Sequence, residues 1–200
     1  GDSLASSIGL SAGTAYNSTS PWLKFAYQGS VIYIAKKPYR HSLSHENIYE
    51  AGAAYGSGNT GNEPHATWSE LNWKNTDPTQ TTQNASVTIG GVSFDVRLIQ
   101  GTDAEFSDAQ TTTAYNEWNQ LIYAVHVDTN TEGWGVNYTD SDMIFSSGDG
   151  RGSWVQESNS SGSDRRVTRG NTGVTYSNNR TSDYGYSYYG WRPALVPSSS

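Results

Sequence analysis

The chain has 200 residues and a formal net charge of −7, from 12 basic and 19 acidic residues, so one mildly acidic domain is expected. It contains no cysteine, which excludes a disulfide scaffold, a cysteine-ligated metal site and thiol catalysis. No apolar run is long enough for a membrane-spanning helix, and the first twenty residues lack the pattern of a signal peptide.

Aromatic residues supply much of the material for a core. Leu, Ile, Val and Phe make up only 31 of the 200 residues, a fraction at which disorder becomes a concern. The chain also has 7 Trp and 14 Tyr, and each buried aromatic side chain removes about 150–250 Å² from water. We therefore expect an ordered, aromatic-rich domain with long loops.

The two ends of the chain have a different composition from the rest. Residues 1–20 are mostly Gly, Ser, Ala and Thr, which is typical of a linker, and residues 197–200 form a polar tail. We predict that residues 1–20 tether a domain over residues 21–196 to an upstream part or to a neighbouring subunit. Because the chain starts with Gly1 and holds a single Met, we expect an excerpt of a longer polypeptide or a processed product.

Two β-hairpins are predicted, each with a glycine-containing turn between β-branched and aromatic residues. The first covers residues 22–34 and turns at Gln28-Gly29. The second covers residues 87–98 and turns at Gly90-Gly91. Its alternating pattern places four apolar residues on one face: Val92, Phe94, Val96 and Leu98.

Two helices are predicted. Ser44 is a suitable N-cap for a helix over residues 45–55, and Gly56 is a suitable end. A second helix is predicted over residues 114–126, because apolar residues recur there at helical spacing. The residues of this stripe are Trp118, Leu121, Ile122 and Val125.

The remaining segments are predicted as loops and short strands. Residues 56–83 are too polar for a regular element, but Trp68 and Trp73 would anchor them as a long ordered loop. Residues 153–156 and 165–169 are predicted as strands between loops rich in Ser, Gly and Asn. Together the elements predict an α+β fold with two helices, several β-hairpins and long ordered loops.

The segment over residues 151–192 has an unusual composition. It carries six Arg against three acidic residues, a net charge of +3, whereas the rest of the chain carries −10. Tyr, Ser, Gly and Asn supply 23 of its 42 residues, as in an antibody paratope, where Tyr gives rigid contact area. The same residues also accumulate in loop-rich β domains without any binding role, so both interpretations remain open. The acidic chain argues against nucleic-acid binding.

Six short motifs occur in order along residues 21–196. They are Trp22-Leu-Lys-Phe, Val87-Thr-Ile-Gly-Gly-Val-Ser-Phe-Asp-Val-Arg-Leu, Glu117-Trp-Asn-Gln-Leu, Gly152-Ser-Trp-Val-Gln-Glu, Arg166-Val-Thr-Arg-Gly and Gly190-Trp-Arg-Pro-Ala-Leu-Val. In this order they resemble the motifs of tailed-bacteriophage virion proteins with a C-type-lectin-like domain. The last motif also resembles the ending of formylglycine-generating-enzyme-like domains and of retroelement-diversified variable domains, which share that architecture.

The resemblance implies a C-type-lectin-like fold and a place on the surface of a virion, on a tail fibre, baseplate or capsid. It implies a bacterial surface glycan or outer-membrane protein as partner, together with other virion subunits. We expect a homo-oligomer, no nucleic acid and no membrane insertion. The resemblance also implies a ligand-binding face before the last strand, formed by Trp154, Arg165, Arg169, Asn171, Tyr176, Arg180, Tyr184, Tyr186 and Tyr188. Trp191 and Arg192 are predicted instead to lock the closing strand to the core.

Three functions are compatible with these observations. The first is a non-enzymatic module that recognises a host cell-surface molecule, and the second is a structural protein of a capsid, collar or fibre junction. The third, a polysaccharide-degrading enzyme, needs two carboxylates about 5–10 Å apart, and no motif nominates such a pair. A serine-esterase motif at residues 1–4 has no histidine in the last 74 residues of the chain to act as its base. We predict that the chain is not an enzyme.

Metal and cofactor sites are not expected. His41 and His45 are four residues apart and could bind zinc together with His65 or Glu46, but the helix start at Ser44 separates them. No acidic segment has the spacing of a twelve-residue calcium-binding loop. We predict no cofactor and no metal.

Overall fold

The computed structural model shows a mixed α+β fold, mostly strands in two sheets with a few short helices, which confirms the predicted fold class. Among the residues that it describes, no helix is long and apolar enough to cross a membrane. The structure describes six stretches of the chain: residues 2–62, 78–101, 116–127, 135–144, 152–159 and 162–198.

The described residues contain strands and helices that are numbered here in chain order. The strands are β1 (Thr14–Ala15), β2 (Trp22–Tyr27), β3 (Ser30–Ala35), β4 (Arg40–His41), β5 (Ser86–Ile89), β6 (Val92–Arg97), β7 (Gly152–Asn159), β8 (Gly162–Arg169), β9 (Ser177–Thr181), β10 (Tyr189–Trp191) and β11 (Ala194–Pro197). The α-helices are α1 (Asp2–Ser7), α2 (His45–Glu50) and α3 (Asp140–Met143). A π-helix over Trp118–Ile122 continues into a 3₁₀ turn over Tyr123–Val125.

Both predicted hairpins are confirmed, and they form most of a five-stranded sheet with the order β2-β3-β11-β6-β5. Gln28, Gly29, Gly90 and Gly91 all have positive φ, between 49° and 83°, as a tight two-residue hairpin turn requires. In the second hairpin, the side chains of the predicted apolar face become more exposed toward the turn. Val96 and Leu98 are fully buried, Phe94 is half-buried and Val92 is exposed.

The second sheet has six strands in the order β1-β4-β10-β7-β8-β9. Strand β10 is parallel to β7 and antiparallel to β4, whereas β7, β8 and β9 are antiparallel neighbours. This arrangement confirms the predicted strands over residues 153–156 and 165–169. The chain passes from the six-stranded sheet to the five-stranded sheet at Arg192-Pro193, between β10 and β11.

The prediction of an aromatic core is confirmed. Trp118, Trp154 and Trp191 are the largest fully buried side chains. Trp154 and Trp191 belong to a cluster that contains α2, while Trp118 belongs to a second cluster with Phe25 and neighbouring aliphatic side chains. Large aromatic rings thus fill the space between the sheets and helices, which the few aliphatic residues alone would leave partly empty.

The first predicted helix starts as expected and ends early. The side chain of Ser44 accepts a hydrogen bond from the backbone N–H of Asn47, whose side chain bonds back to the backbone of Ser44. Helix α2 ends at Glu50 rather than at residue 55. The helix ends because Gly52 has φ +71°, a left-handed conformation that favours glycine. A Cβ atom at this position would also lie 2.9 Å from the carbonyl oxygen of Thr82.

The second predicted helix has the expected buried stripe in a different geometry. Trp118, Leu121, Ile122 and Val125 are all buried, as predicted. Residues 114 and 115 lie outside the described residues, and the rest is a π-helix and a 3₁₀ turn instead of an α-helix. The amphipathic pattern specifies which side faces the core, but it does not distinguish between helix types with similar turns.

Residues 2–20 differ from the predicted linker. They form α1 and β1, and Leu4, Ala5 and Leu10 are buried in the core cluster that contains α2. The guanidinium of Arg40 donates to the carboxylate of Asp2 at 2.8 Å. A few isolated apolar residues are thus enough to hold a polar segment in place when they pack against the core. The predicted polar tail also starts inside β11, which ends at residue 197.

Arg192 occupies the point where the two sheets meet. It is fully buried, and its Nη1 donates to the carbonyl oxygens of Ala35 at 3.0 Å and Lys36 at 2.6 Å. Its Nε donates to the Ser153 hydroxyl at 3.2 Å, and its Nη2 donates to the carbonyl of Met143. These contacts confirm the predicted structural role of Arg192, and Trp191 is fully buried beside it, as predicted.

We expect Arg192→Lys to lower the free energy of unfolding by about 3 kcal/mol or more, because an ammonium lacks the planar set of donors and leaves buried carbonyls unpaired. Urea denaturation measures the change. Arg165→Lys, at a half-buried arginine of β8, is the control and should cost less than about 1 kcal/mol. Equal effects of the two substitutions would contradict the assignment.

We expect Leu10→Ala to destabilise the protein by about 2–4 kcal/mol, since Leu10 is buried and its removal leaves a cavity. The exposed Val92→Ala serves as the control, with an expected change of about 0.5 kcal/mol or less. If thermal and urea denaturation give the same small effect for both variants, residues 2–20 do not contribute to the core in solution.

Candidate binding face

Three tyrosines follow one another in the loop between β9 and β10. The ring centroids of Tyr184 and Tyr186 are 5.8 Å apart, and those of Tyr186 and Tyr188 are 5.6 Å apart with the planes inclined by 22°. Tyr186 and Tyr188 are 44% and 45% exposed, whereas Tyr184 is half-buried. We call Tyr184, Tyr186 and Tyr188 the tyrosine row.

The inner end of the tyrosine row is held by the core. The ring of Tyr184 lies 5.5 Å from that of Tyr189, which is buried on β10 and packs 5.2 Å from Trp154. The loop that carries the row is also tied to α2, because the hydroxyl of Ser182 donates to the Glu46 carboxylate at 3.1 Å. The exposed rings therefore extend from a fixed base.

Arg180 lies beside the tyrosine row at the end of β9. Its guanidinium carbon is 5.8 Å from the ring centroids of both Tyr184 and Tyr189, within the range of a cation–π contact. Its Nη1 donates to the side-chain oxygen of Asn178 at 3.0 Å and to the carbonyl of Asn179 at 2.7 Å. The arginine thus has a defined position next to the rings.

Three other predicted binding residues lie elsewhere on this part of the surface. Arg165 is half-buried on β8, where it donates to the side-chain oxygen of Asn179 at 2.8 Å. Asn171 and Tyr176 lie in the turn between β8 and β9, half-buried and exposed respectively. The five residues of β9 separate that turn from the tyrosine row by about 15 Å.

Two predicted binding residues, Trp154 and Arg169, lie in the interior. Trp154 is fully buried, and its indole N–H donates to the carbonyl of Leu43 at 2.9 Å. Arg169 donates to the carbonyl of Gly101 and, at 3.1 Å, to the side-chain oxygen of Asn119. Burial lowers the pKa of Arg169 to about 10. Both side chains are used within the fold and do not reach the surface.

Much of the positive charge that the structure describes in residues 151–192 is internal. Three of its six arginines, Arg166, Arg169 and Arg192, are buried. Arg165 and Arg180 are half-buried, and the half-buried Asp164 and Asp183 lie on the same segment. The described surface around the tyrosine row therefore has little net charge.

A buried polar cluster lies beneath this face. His45, Glu46 and Arg166 are all fully buried. Burial lowers the pKa of His45 well below its usual range, and the positive charge of Arg166 acts in the same direction. His45 is therefore neutral in the folded protein at neutral pH.

A cavity of about 330 Å³ opens at the other end of the same region, and the sequence analysis did not predict it. Its lining comes from two distant segments: Tyr55, Asn62, Gln156, Glu157 and Ser158. We call it the polar cavity. The motif Gly152-Ser-Trp-Val-Gln-Glu contributes two of its residues, but nothing in the sequence brings residues 55 and 62 to them.

The candidate zinc ligands do not converge. His41 lies on β4 and His45 begins α2, with the N-cap Ser44 between them, while His65 lies outside the described residues. In the part of the chain that the structure describes, no three His, Asp or Glu side chains are grouped as a metal site would need.

Comparisons of the chain with protein-family models, with curated protein sequences and with solved structures found no match.

The buried neutral His45 predicts a pH dependence. The unfolded chain binds this proton near pH 6.5, but the folded protein binds it only at lower pH. The free energy of unfolding should therefore fall as the pH drops below about 6.5, by up to ~1.4 kcal/mol per pH unit from this group.

His45→Phe should remove this contribution. The stability of the variant relative to the wild type should therefore increase when the pH is lowered from about 7.5 to about 5.5. Urea denaturation at both values measures the difference. His41→Phe, at a half-buried histidine, is the matched control and should retain the pH dependence. A constant difference between wild type and His45→Phe would contradict the burial of a neutral imidazole.

Proposed function

We propose that this chain is a non-enzymatic virion surface module that recognises a molecule on a host cell through the face around the tyrosine row. The observation that carries the proposal is the row itself, with two stacked rings that are nearly half exposed. The order of the six sequence motifs supports the virion location and a C-type-lectin-like variant of the observed α+β fold.

Exposed aromatic rings on a fixed base are suited to binding. Tyrosine offers a large contact area and loses little conformational entropy when it binds, since its side chain has few rotatable bonds. Here Tyr184 packs on the core, and the contacts between rings restrict Tyr186 and Tyr188 further. A ligand would meet a surface that is already ordered, which reduces the cost of association.

The proposed face is smaller than the nine residues that the resemblance implied. Its centre is formed by Arg180, Tyr184, Tyr186 and Tyr188, which the structure brings together. Arg165 pairs with Thr181 across β8 and β9, so its side chain lies on the sheet face opposite to that of Arg166 and Arg180, outside this centre. Asn171 and Tyr176 would contact only a ligand that extends along β9, whereas Trp154 and Arg169 support the face from inside.

A structural role in the virion is the second candidate, and one observation favours it. The five-stranded sheet carries a cavity of about 350 Å³ lined by apolar side chains, including Trp22, Tyr33 and Phe94. Ile89 at its rim is 51% exposed and lies on β5, an edge strand of the sheet. Apolar side chains next to an unpaired strand edge are suited to contact with another copy of this chain.

Binding of the labelled protein to intact cells of a panel of bacterial strains tests the first candidate. We expect saturable binding to at least one strain, weakened about tenfold or more by the double substitution Tyr186→Ala and Tyr188→Ala. Tyr16→Ala, at an exposed tyrosine outside this face, is the control and should leave binding unchanged.

Two outcomes would count against the binding module. Absence of binding to every strain, together with self-association that Ile89→Lys abolishes in sedimentation experiments, would favour the structural role. Cell binding that is lost equally with Tyr16→Ala would show that the tyrosine row is not the binding face.

A further inference from the structure

The polar cavity has the chemistry of a site for hydroxyl groups. The side chain of Asn62 donates to the Ser158 hydroxyl at 3.2 Å, and the side chain of Gln156 donates to the carbonyl of Leu98 at 2.8 Å. Among the described residues, no donor contacts the side-chain oxygens of Asn62 and Gln156, and no acceptor takes the hydroxyl proton of Ser158. Two acceptors and one donor thus remain available at the cavity wall.

Tyr55 supplies an aromatic wall that is firmly held. Its hydroxyl donates to the carbonyl oxygen of Asn62 at 2.7 Å, and burial raises its pKa to about 12. The same carbonyl accepts a second hydrogen bond, at 3.0 Å, from the buried guanidinium of Arg166. The backbone at Asn62 is therefore fixed from below, and its side chain stays exposed at the rim.

Charge at the cavity favours a neutral ligand. Glu157 is the only charged residue of the five that line it. Its carboxylate accepts a hydrogen bond from the backbone N–H of Gly101 at 3.0 Å, which holds it in place. The guanidinium of Arg166 beneath Asn62 brings the opposite charge, so neither an acidic nor a basic ligand is favoured, and the carboxylate can accept hydrogen bonds from hydroxyl groups.

Strand register connects the polar cavity to the tyrosine row. Ser158 on β7 pairs with Arg166 on β8, which pairs with Arg180 on β9, so the three side chains lie on one face of the sheet. Arg166 is buried, so a ligand that reaches from Ser158 to Arg180 has to pass over the residues that cover Arg166. Two strand spacings separate Ser158 from Arg180, a distance of about 10 Å. Arg180 contacts Tyr184, the inner member of the tyrosine row.

We propose that the polar cavity is a second subsite of the binding face, which takes a neutral sugar unit of a surface polysaccharide whose chain also contacts the tyrosine row. The volume of about 330 Å³ is at the lower end for ligand sites, which suits one unit of a longer chain. Its hydrogen-bonding groups and its aromatic wall match the hydroxyl groups and the apolar face of a sugar ring. This inference rests on the proposed function and specifies the class of ligand.

The dependence of affinity on ligand length tests the proposal. The probes are fragments of increasing length from the neutral surface polysaccharide of a strain to which the protein binds, and calorimetry gives the affinities. Short fragments can fill only one subsite, and a fragment has to be longer than about 10 Å to reach both, since Tyr186 and Tyr188 lie beyond Arg180. For the wild type we expect affinity to rise steeply once this length is exceeded.

The double substitution Asn62→Ala and Ser158→Ala should remove most of this rise. We expect it to weaken binding of long fragments about tenfold and to leave binding of short fragments unchanged, which also shows that the variant is folded. Asn84→Ala with Ser86→Ala is the matched control, since both residues are exposed on or beside β5, in the other sheet. Fragments of an acidic polysaccharide of the same lengths should bind more weakly.

The outcomes separate this inference from the proposed function. Suppose that the protein binds cells through the tyrosine row, but that the Asn62→Ala, Ser158→Ala variant binds long fragments as well as the Asn84→Ala, Ser86→Ala control. The second subsite is then wrong, and the proposal of a binding module stands. If the protein binds cells through an outer-membrane protein and has no affinity for the polysaccharide, the second subsite is likewise wrong and the binding module stands. If the protein binds no cells, both proposals fail.

Discussion

The buried guanidinium of Arg192 joins the two sheets at the point where the chain crosses from one to the other. Three backbone carbonyls and one hydroxyl accept its hydrogen bonds, and its carbon lies 5.3 Å from the ring centroid of Trp118. Arg169 lies 5.4 Å from the same ring. Burial lowers the pKa of Arg192 to about 9, so it is still charged at neutral pH. Oriented carbonyl dipoles and the indole ring compensate the cation, since no carboxylate of the described residues forms an ion pair with it.

This junction determines where the proposed binding face lies. Strand β10 ends next to Arg192, and its first residue, Tyr189, packs on Trp154 and on Tyr184. The loop before β10 is therefore anchored at its end, and the remaining rings are directed outward from a rigid base. On the same sheet, β7 carries three of the residues that line the polar cavity, and Arg166 on β8 donates a hydrogen bond to the backbone of Asn62 beneath it. A single packed interior thus supports both parts of the proposed face.

Local patterns predicted the elements that depend only on neighbouring residues. Turns at Gln28-Gly29 and Gly90-Gly91 specify hairpins because of their backbone requirements, and Ser44 specifies a helix start because its side chain satisfies a free N–H. The end of α2 was not predictable, since Gly52 stops it through a close approach to Thr82, which is distant in sequence. For the same reason Leu4 and Leu10 gave no sign that the first residues pack on the core.

The sequence by itself determined that the chain is an α+β protein with an aromatic core, and that its last third concentrates Tyr and Arg. It did not determine which of these side chains face solvent. Trp154, Arg166, Arg169 and Arg192 are internal because the second sheet packs its residues against α2 and Trp118, whereas Tyr186 and Tyr188 are external because their loop lies beyond the sheet. Composition reports how many side chains can bind a ligand, but only tertiary packing decides which of them are left to do so.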